Sequence, residues 1–475
     1  MRTGPDGPVG WLAPTALTLA ILLFQLDRAQ PWRDELATWS AASRSLPDLL
    51  RMLGTIDAVS GPYYLFMHAW IAIFGDSVLA LRLPSALAMT GTAGLVALLG
   101  RRLFGARTGL LAGLLFAVLP STSRYGQEAR PYAFATLFAV LATVLLVGAL
   151  RRPTWPRWLG YALALVGLGL SHLVAITLVA GHAAAVLLAG RAAPRPRRWL
   201  VAVAITGVLL LPLVILGREQ QARQLDWVDQ PSLWNLPGLP GSVAQSGPVG
   251  GLLLGLAAVG MAGRGRWPAI LGLSVLLPAA LIFVGGLISP LWVPRYLVFT
   301  VPFGCLLAAL PMTAPALPRT LLIVLLVAAL GAPAHGELRR THEWPRTRPI
   351  DYAAAARIIA TNQRPGDGIV YGQRRSWRLL DVATAYHLRG SRPRDLLAVR
   401  DQAARGDLWV TECPRPAPCL ARAERIWVLV SGERADPRDA LPQPTAGPLR
   451  DGWRVQQVWR LPGLTLGLLS RPAAD

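Results

Sequence analysis

The sequence predicts a polytopic α-helical membrane protein with a small C-terminal α/β domain. The chain of 475 residues is 53% hydrophobic and only 15% charged, and its mean hydropathy is +0.42. These values lie far from those of an average soluble domain. We therefore divide the chain into a transmembrane domain at residues 1–335, with a catalytic loop at about 27–79, and an extracytoplasmic α/β domain at 336–475.

Long apolar runs predict about eleven transmembrane helices, because a helix needs about 20 apolar residues to cross a bilayer. A shorter apolar segment at 62–75 is interpreted as a re-entrant or interfacial helix. If it crossed the membrane, the clusters at Arg101 and Arg151 would both move to the other face, and the excess of arginine in cytoplasmic loops would be lost. The predicted spans are 9–26, 80–99, 108–122, 132–150, 158–172, 173–190, 199–216, 249–262, 268–288, 296–311 and 319–334.

The net charge of +21 comes from arginine, since the chain contains no lysine, and the arginines fall in short clusters between apolar runs. They form no single patch, so the charge does not indicate nucleic-acid binding. Such clusters mark cytoplasmic loops, which places the N-terminus in the cytoplasm and, after an odd number of spans, the C-terminal domain outside. The clusters are Arg2; Arg101, Arg102 and Arg107; Arg151, Arg152 and Arg157; Arg191, Arg195, Arg197 and Arg198; Arg264 and Arg266; and Arg319.

The polar C-terminal part has the pattern of a small α/β domain. Asp351 is expected to cap a helix that reaches Asn362. Cys413 and Cys419 flank a proline-rich loop and can form a disulfide in an exported domain. Further helices are predicted at 379–388 and 394–405, and strands at 369–371, 408–411, 426–430 and 455–459.

Polar residues on the predicted outer face are the candidates for chemistry. The sequence contains no nucleotide-binding glycine motif and no zinc-peptidase spacing. Three outer elements stand out, namely Arg33-Asp34-Glu35, the segment Ser123–Tyr132, and Pro294-Arg295-Tyr296. A carboxylate near an apolar surface is a stronger base towards a hydroxyl, and arginine binds phosphate in bidentate fashion. The pattern predicts a site for a lipid-phosphate donor and a hydroxyl acceptor.

The order of these elements resembles the type C glycosyltransferases related to family 39, which include protein O-mannosyltransferases and aminoarabinose transferases. The similarity is closest to an actinobacterial mannosyltransferase branch and covers roughly residues 9–300. One difference is Ser60-Gly61-Pro62, where many relatives have His or His-Pro-Pro before the aromatic pair. The matching motifs are RDE at 33–35, DAVSGPYYLFMHAWIAIFGDSVLALRLPSALA at 57–88, GRRLFG at 100–105 and SRYGQEARPYA at 123–133.

The resemblance implies an enzyme that moves a sugar, expected to be mannose, from a polyprenyl-phosphate donor to a glycan, lipid or protein hydroxyl, with inversion at the anomeric carbon. Asp34 would be the base. Glu35, Gln127 and Glu128 would orient hydroxyl groups, or Asp34 and Glu128 would hold a divalent metal ion, the only cofactor considered. Arg130 and Arg295 would hold the phosphate. Further donor or acceptor contacts are expected from Asp57, Tyr63, Tyr132, His172 and Tyr296.

Each candidate residue also has a structural interpretation. Asp34 and Glu35 could be a solvated surface pair or a helix cap, and Asp57 could cap the segment at 62–75. The arginines and tyrosines could anchor the chain at the membrane interface. His182 is interpreted as a buried imidazole with satisfied hydrogen bonds.

Two other functions are considered for the whole chain. It could be a transporter or flippase for a lipid-linked sugar or another solute, or a membrane protein that only displays its C-terminal domain. Transporters usually show repeated halves and charged groups near the middle of the membrane. The predicted spans carry few charges and no internal repeat is visible, so the glycosyltransferase interpretation is favoured.

Overall fold

The structure is a computed structural model that describes residues 9–188, 196–343 and 346–472. The predicted cytoplasmic residues Arg2, Arg191 and Arg195 lie outside these ranges. Contacts between residues divide the chain into two compact units. The first unit comprises Met1–Arg28, Asp57–Phe66 and Phe74–Arg339, and the second comprises Ala29–Ile56, Met67–Ile73 and Arg340–Asp475.

Helices dominate the chain before the C-terminal sheet. Every apolar run that was predicted as a span contains one of them. They are α1 (Val9–Leu23), α2 (Arg33–Ala42), α3 (Leu46–Leu53), α4 (Gly61–Phe74), α5 (Val78–Phe104), α6 (Ala106–Val118), α7 (Pro120–Gly126), α8 (Tyr132–Arg151), α9 (Trp155–Ser171), α10 (Leu178–Leu188), α11 (Pro196–Gln224), α12 (Leu239–Ala244), α13 (Gly247–Met261), α14 (Arg266–Ile288), α15 (Val301–Ala309) and α16 (Leu317–Leu338).

Among the described residues, six helical stretches are long and apolar enough to cross a membrane. They are α5, α8, α11, α14, α16 and the stretch Pro294–Thr313. Shorter apolar helices cover Gly10–Leu23, Ala58–Phe74, Ala106–Val118, Leu173–Leu188 and Gly247–Met261. The chain is a multi-pass helical membrane protein.

Two predicted spans begin with a 3-10 turn before their α-helix. Leu173–Thr177 precedes α10, and Pro294–Thr300 precedes α15. His172 is extended, with φ −156° and ψ 105°, and therefore ends α9. Pro294 lacks an N–H donor, which favours the first position of a helical turn. These two breaks bring His172 and Tyr296 together, with ring centroids 4.7 Å apart.

The C-terminal part of the second unit contains a five-stranded mixed sheet in the order β2-β1-β5-β7-β6. Strand β1 pairs in parallel with β2 and β5, whereas β7 pairs antiparallel with β5 and β6. Its elements are α17 (Tyr352–Asn362), β1 (Gly368–Tyr371), α18 (Leu380–Leu388), β2 (Arg394–Asp395), β3 (Ala398–Arg400), α19 (Gln402–Arg405), β4 (Thr411–Glu412), α20 (Pro416–Leu420), β5 (Arg425–Ser431), α21 (Gln443–Gly452), β6 (Arg454–Leu461) and β7 (Leu464–Ser470).

Local hydrogen bonds support two of the sequence predictions for this part. The Asp351 side chain accepts a hydrogen bond from the backbone N–H of Ala354 at 2.9 Å and caps α17, as predicted. Cys413 and Cys419 form the predicted disulfide. The apolar strands then bury Val370, Ile426 and Val428 in one core.

The predicted helix at 394–405 is wrong. Residues 394–395 pair with β1, and the Asp395 side chain accepts hydrogen bonds from the backbone N–H groups of Leu397 and Ala398 at 3.2 and 3.1 Å. This turn ends the strand, and only Gln402–Arg405 is helical. Short polar side chains such as Asp compete with helix formation in this way.

The predicted strand at 408–411 is wrong except at its last residue, which begins β4. Leu408 is fully buried, but its N–H donates to its neighbour's side chain, Asp407 Oδ1, at 2.7 Å. The carbonyl of Val410 accepts a hydrogen bond from Arg405 Nη1 at 2.7 Å. This apolar run is therefore a buried loop. Its backbone groups form hydrogen bonds with the side chains of Arg405 and Asp407 instead of with another strand. Strand β7 was not predicted from the sequence.

Arg374 is the central cation of the α/β part, and its side chain is buried. It forms ion pairs with Asp381 at 3.2 Å, with Glu412 at 3.1 Å and with Asp395. Burial raises the pKa of the Asp381 carboxyl, against the opposing effect of Arg374. The cation therefore offsets the cost of placing carboxylates inside the protein.

Replacing Arg374 with methionine is expected to destabilise the second unit by roughly 3 kcal/mol, because it leaves the buried carboxylate of Asp381 without its cation. The measurement is limited proteolysis of the full chain during a temperature ramp. The control is Arg375→Met at the exposed neighbouring position. If the two variants became susceptible to proteolysis at the same temperature, a stabilising role for Arg374 would be contradicted.

Candidate functional site

One face of helix α11 lines a cavity of about 310 Å³ in the first unit. The positions on this face are three or four residues apart, which places them on one side of a helix. A Cβ atom at Gly217 would lie 2.6 Å from Val59 Cγ1, so glycine permits the close approach. The lining residues from this end of the helix are Val214, Gly217, Arg218, Gln221, Gln224 and, just beyond it, Leu225.

This face was not predicted from the sequence, because the apolar run of the span ends at residue 216. The helical spacing that joins Gly217, Gln221 and Gln224 was the signal that could have found it. Arg218 had been left without a role. The cavity thus receives polar groups from the continuation of a span beyond its apolar part.

Four of the predicted site residues line the same cavity, namely Arg130, Tyr132, His172 and Tyr296. The ring of His172 lies 5.5 Å from that of Tyr132, measured between centroids. The other lining residues are Val59, Ser60, Pro131, Ser171, Leu173, Val174 and Leu291.

This lining combines two guanidinium groups, Arg130 and Arg218, with a largely apolar wall. Arginine presents a planar fork of donors that matches phosphate oxygens. Apolar side chains favour contact with hydrocarbon, because both avoid water. The cavity is therefore suited to an anionic group attached to an apolar chain.

Asp57 lies behind the cavity wall as the centre of a hydrogen-bond network. Its carboxylate accepts hydrogen bonds from Ser60 Oγ at 2.9 Å, from the Tyr64 hydroxyl and from Gln224 Nε2. The Tyr64 oxygen in turn accepts from Arg130 Nη1 at 3.3 Å. The suggested capping role is wrong, because the Asp57 side chain makes no helix-cap hydrogen bond. The network instead connects Asp57 to the cavity arginine.

Arg295 supports the other side of the cavity. Its Nε donates to the Tyr132 hydroxyl at 3.0 Å, and its guanidinium carbon lies 5.0 Å from the ring centroid of Trp227. Tyr132 and Tyr296 line the cavity. Arg295 therefore orients a lining residue, and its predicted contact with phosphate stays a prediction.

The other predicted residues of the first unit have structural partners. Gln127 donates to the carbonyl of Leu22, in the last turn of α1, at 2.8 Å and to that of Phe24, just after the helix, at 3.0 Å. Glu128 is buried and pairs with Arg124 at 3.5 Å. The Tyr63 ring packs 5.9 Å from that of Phe134. Their predicted roles towards substrate are not tested by these contacts.

His182 is the satisfied buried imidazole that the sequence predicts. Its Nε2 lies 3.0 Å from Thr143 Oγ1, and its Nδ1 lies 3.0 Å from the Tyr161 hydroxyl. Trp199 donates to the same hydroxyl at 3.2 Å. Buried polar groups normally find such partners, so His182 needs no catalytic role.

The Arg33-Asp34-Glu35 segment forms the first turn of α2 in the second unit. Glu35 is 1% exposed, and its Oε2 accepts from the Trp32 N–H at 3.3 Å. The same oxygen lies 3.7 Å from His342 Nδ1. Glu35 thus serves as a buried cap, whereas Asp34 is half-buried. Of the two carboxylates, Asp34 is therefore the more exposed, and its predicted role as the base stays a prediction.

Residues far along the chain hold this acidic turn. Arg33 N–H donates to Glu343 Oε1 at 3.4 Å, and Ala353 N–H donates to Gln30 Oε1 at 2.9 Å. Gln30 Nε2 also donates to the carbonyl of Ile350. Contacts with Glu343, Ile350 and Ala353 therefore fix the conformation of the turn that carries Asp34.

Among the described residues, no group of three His, Cys, Asp or Glu side chains is arranged to hold a metal ion. Glu128, one of the two predicted ligands, already pairs with Arg124. The residues that the structure describes thus offer no ready-made metal site. The divalent ion considered from the sequence stays a prediction, and no chemical step below depends on it.

Comparison with known families finds a match at residues 62–216 to the family described as dolichyl-phosphate-mannose-protein mannosyltransferase. This range includes α8, α9 and eight of the 17 residues that line the cavity, among them Arg130 and His172 but not Arg218. A search of curated protein sequences finds no match.

Solved structures share the fold over almost the whole chain. ArnT from Cupriavidus metallidurans, bound to undecaprenyl phosphate, superposes with a TM-score of 0.65 at 16% identity, covering 97% of this chain and 98% of ArnT. Its apo state gives a TM-score of 0.66 at 14% identity, with the same coverage of both chains. Arabinofuranosyltransferase AftD from mycobacteria gives 0.50 at 14% identity, covering 99% of this chain and 42% of AftD.

The chain is thus a multi-pass membrane protein with the same fold as ArnT. The resemblance to type C membrane glycosyltransferases related to family 39 is confirmed by the matching family segment and by the shared fold. The actinobacterial branch suggested by the sequence is not confirmed.

Proposed function

We propose that the protein transfers a sugar, with mannose as the first candidate, from a polyprenyl-phosphate donor to an acceptor hydroxyl on the outer face of the cell membrane. The observation that carries this proposal is the cavity in which Arg130 and Arg218 lie among apolar residues. A polyprenyl phosphate has the matching chemistry, with an anionic head on a long hydrocarbon chain. The match to a mannosyltransferase family and the undecaprenyl phosphate bound by ArnT support the same substrate class.

The reaction is a single displacement at the anomeric carbon. Asp34 takes the proton of the acceptor hydroxyl as its oxygen forms a bond to that carbon, and the bond from the carbon to the phosphate oxygen breaks. Polyprenyl phosphate leaves as an anion, so the leaving group needs no proton. Preorganised positive charge that stabilises the negative charge developing on the leaving group is usually the largest catalytic contribution. In this proposal, Arg130 and Arg218 supply that positive charge.

The proposed topology follows from the arginine clusters and the helices. Eleven spans, which include α9 and the shorter apolar helices other than Ala58–Phe74, would place the N-terminus in the cytoplasm and the C-terminal α/β domain outside. The acceptor would then meet Asp34 on the outer face. Cysteine labelling of Val399, an exposed residue of β3, with an impermeant reagent in whole cells tests this orientation. Labelling only after cell lysis would contradict it.

The function is tested with the full chain in lipid nanodiscs. The reaction contains polyprenyl-phosphate-mannose with a labelled sugar, together with envelope glycans, lipids and proteins as acceptors. We expect labelled product and an equal amount of released polyprenyl phosphate. In proteoliposomes, movement of the intact donor across the membrane without product would contradict the proposal and favour a flippase.

The network behind the cavity gives a prediction for Asp57. Asp57 positions Arg130 through the Tyr64 hydroxyl, which bonds to both side chains. Asp57→Asn and Tyr64→Phe are therefore each expected to raise the KM for donor by roughly tenfold. This factor corresponds to the free energy lost when one charge-assisted hydrogen bond is weakened. The kcat at saturating donor should fall less. Asp27→Asn, at an exposed carboxylate of the same unit, is the control. A loss of kcat with unchanged KM would contradict a positioning role.

A further inference from the structure

A loop between α11 and α12 exposes large apolar side chains at its tip. Trp234 is 90% exposed and Leu233 is 71% exposed. Both belong to the 3-10 turn Leu233–Asn235. The chain from Gln230 to Met261 contains no charged residue. A charge-free protrusion with its largest side chains turned outwards is unusual for a surface that meets only water.

Several polar groups of this tip are paired within the turn. Asn235 Oδ1 accepts hydrogen bonds from Ser232 N–H at 2.7 Å and from Ser232 Oγ at 3.2 Å. The N–H groups of Asn235 and Leu236 donate to the carbonyls of Ser232 and Leu233 at 2.9 and 3.1 Å. An apolar environment requires such internal pairing, because it offers no partners for backbone groups.

The tip continues an apolar surface at the end of α14. A Cβ atom at Gly286 would lie 2.9 Å from Pro231 Cγ, so the start of the loop packs directly on that helix. The next two residues, Leu287 and Ile288, are exposed. Because α14 is long and apolar enough to cross a membrane, this exposed surface is suited to face lipid. Pro231 therefore joins the tip to an exposed apolar surface of a membrane helix.

We infer that the tip Leu233–Leu236 inserts into the interface of the adjoining bilayer leaflet and anchors the loop there. Tryptophan prefers this interface, where its ring is in an apolar layer and its N–H can reach water or headgroups. A glycan or protein acceptor would need hydrogen-bonding side chains, whereas Asn235 is already used inside the turn.

The anchor is close in sequence to the cavity. Gln224 and Leu225 line the cavity, and Trp227 packs against Arg295, which binds the lining residue Tyr132. If the proposed function is correct, the tip holds this edge of the cavity against the leaflet that contains the donor. A lipid donor would then reach the arginines without leaving the membrane.

The insertion is tested with a fluorescent label on the full chain in nanodiscs. Cys305 is buried and Cys413 and Cys419 are bonded, so a new surface cysteine is labelled selectively. Trp234→Cys carries an environment-sensitive dye, and the control is Val399→Cys on β3, which is 56% exposed. We expect the fluorescence of the dye at position 234 to be quenched strongly by spin-labelled lipid tails and weakly by iodide in the water. The dye at position 399 should be quenched strongly by iodide and weakly by the lipid tails. Iodide quenching at 234 equal to that at 399 would overturn the proposal, as would shielding that occurs only after acceptor is added.

A second measurement tests the consequence for the donor. Trp234→Asp is expected to raise the KM for a long-chain polyprenyl-phosphate sugar several-fold and to leave that for a short-chain, water-soluble analogue unchanged. Equal losses for both donors would overturn the anchoring role in donor supply. If the unmodified protein transfers sugar from neither donor, the proposed function fails, while the fluorescence result still decides whether the tip is inserted.

Discussion

Asp34→Asn is expected to slow sugar transfer by roughly 100- to 10,000-fold, the usual contribution of a general base. The amide has nearly the same size as the carboxylate but cannot accept the proton of the acceptor hydroxyl. Because Glu35 is buried and caps α2, it cannot replace the lost base. Donor binding should be unchanged, since the cavity arginines are intact.

The measurement is kcat at saturating donor and acceptor, together with the KM for each. Asp48→Asn is the matched control, because Asp48 belongs to the neighbouring helix α3 and pairs with Arg51 at 2.7 Å near the surface. We expect this variant to retain activity. Undiminished transfer by Asp34→Asn would remove Asp34 as the base and direct attention to Asp57.

The double variant Arg130→Gln, Arg218→Gln is expected to show the second large effect. Each arginine can make a charge-assisted bond to phosphate, worth roughly 1.5–3 kcal/mol. Loss of both should lower kcat/KM for donor by at least about 100-fold, because about 1.4 kcal/mol corresponds to tenfold. Since the charge on phosphate grows as the bond breaks, kcat should also fall.

Arg223→Gln is the control for this prediction, because Arg223 is an exposed arginine of the same helix α11. Loss of donor binding should also be visible without turnover, as weaker competition by free polyprenyl phosphate. A double variant that binds polyprenyl phosphate normally would contradict the assignment of the cavity as the phosphate site.

Hydropathy predicted the helical part of the fold because each span is a local property of the sequence. The cavity was only partly predictable. Arg130 and His172 were found because they are polar residues at the ends of apolar runs. Arg218 was missed because its span was predicted to end at residue 216, whereas α11 continues to Gln224, and only this continued helical spacing reveals its face.

Long-range contacts account for what the sequence could not predict. The turn that carries Asp34 belongs to the same unit as the C-terminal sheet, and it is held by Glu343, Ile350 and Ala353. No local pattern pairs Gln30 with residues so distant in the chain. Similarly, the predicted helix at 394–405 is replaced by a short strand and a turn in which Asp395 pairs with the distant Arg374.

The most direct test of the central claim is a cryo-electron microscopy structure of the full chain in nanodiscs with polyprenyl phosphate. We predict density for the phosphate in the cavity, within hydrogen-bonding distance of Arg130 and Arg218, with the hydrocarbon chain along the apolar wall. The same preparation of the double arginine variant should lack this density. Well-resolved density for the lipid phosphate elsewhere, with the cavity occupied only by water, would contradict the account.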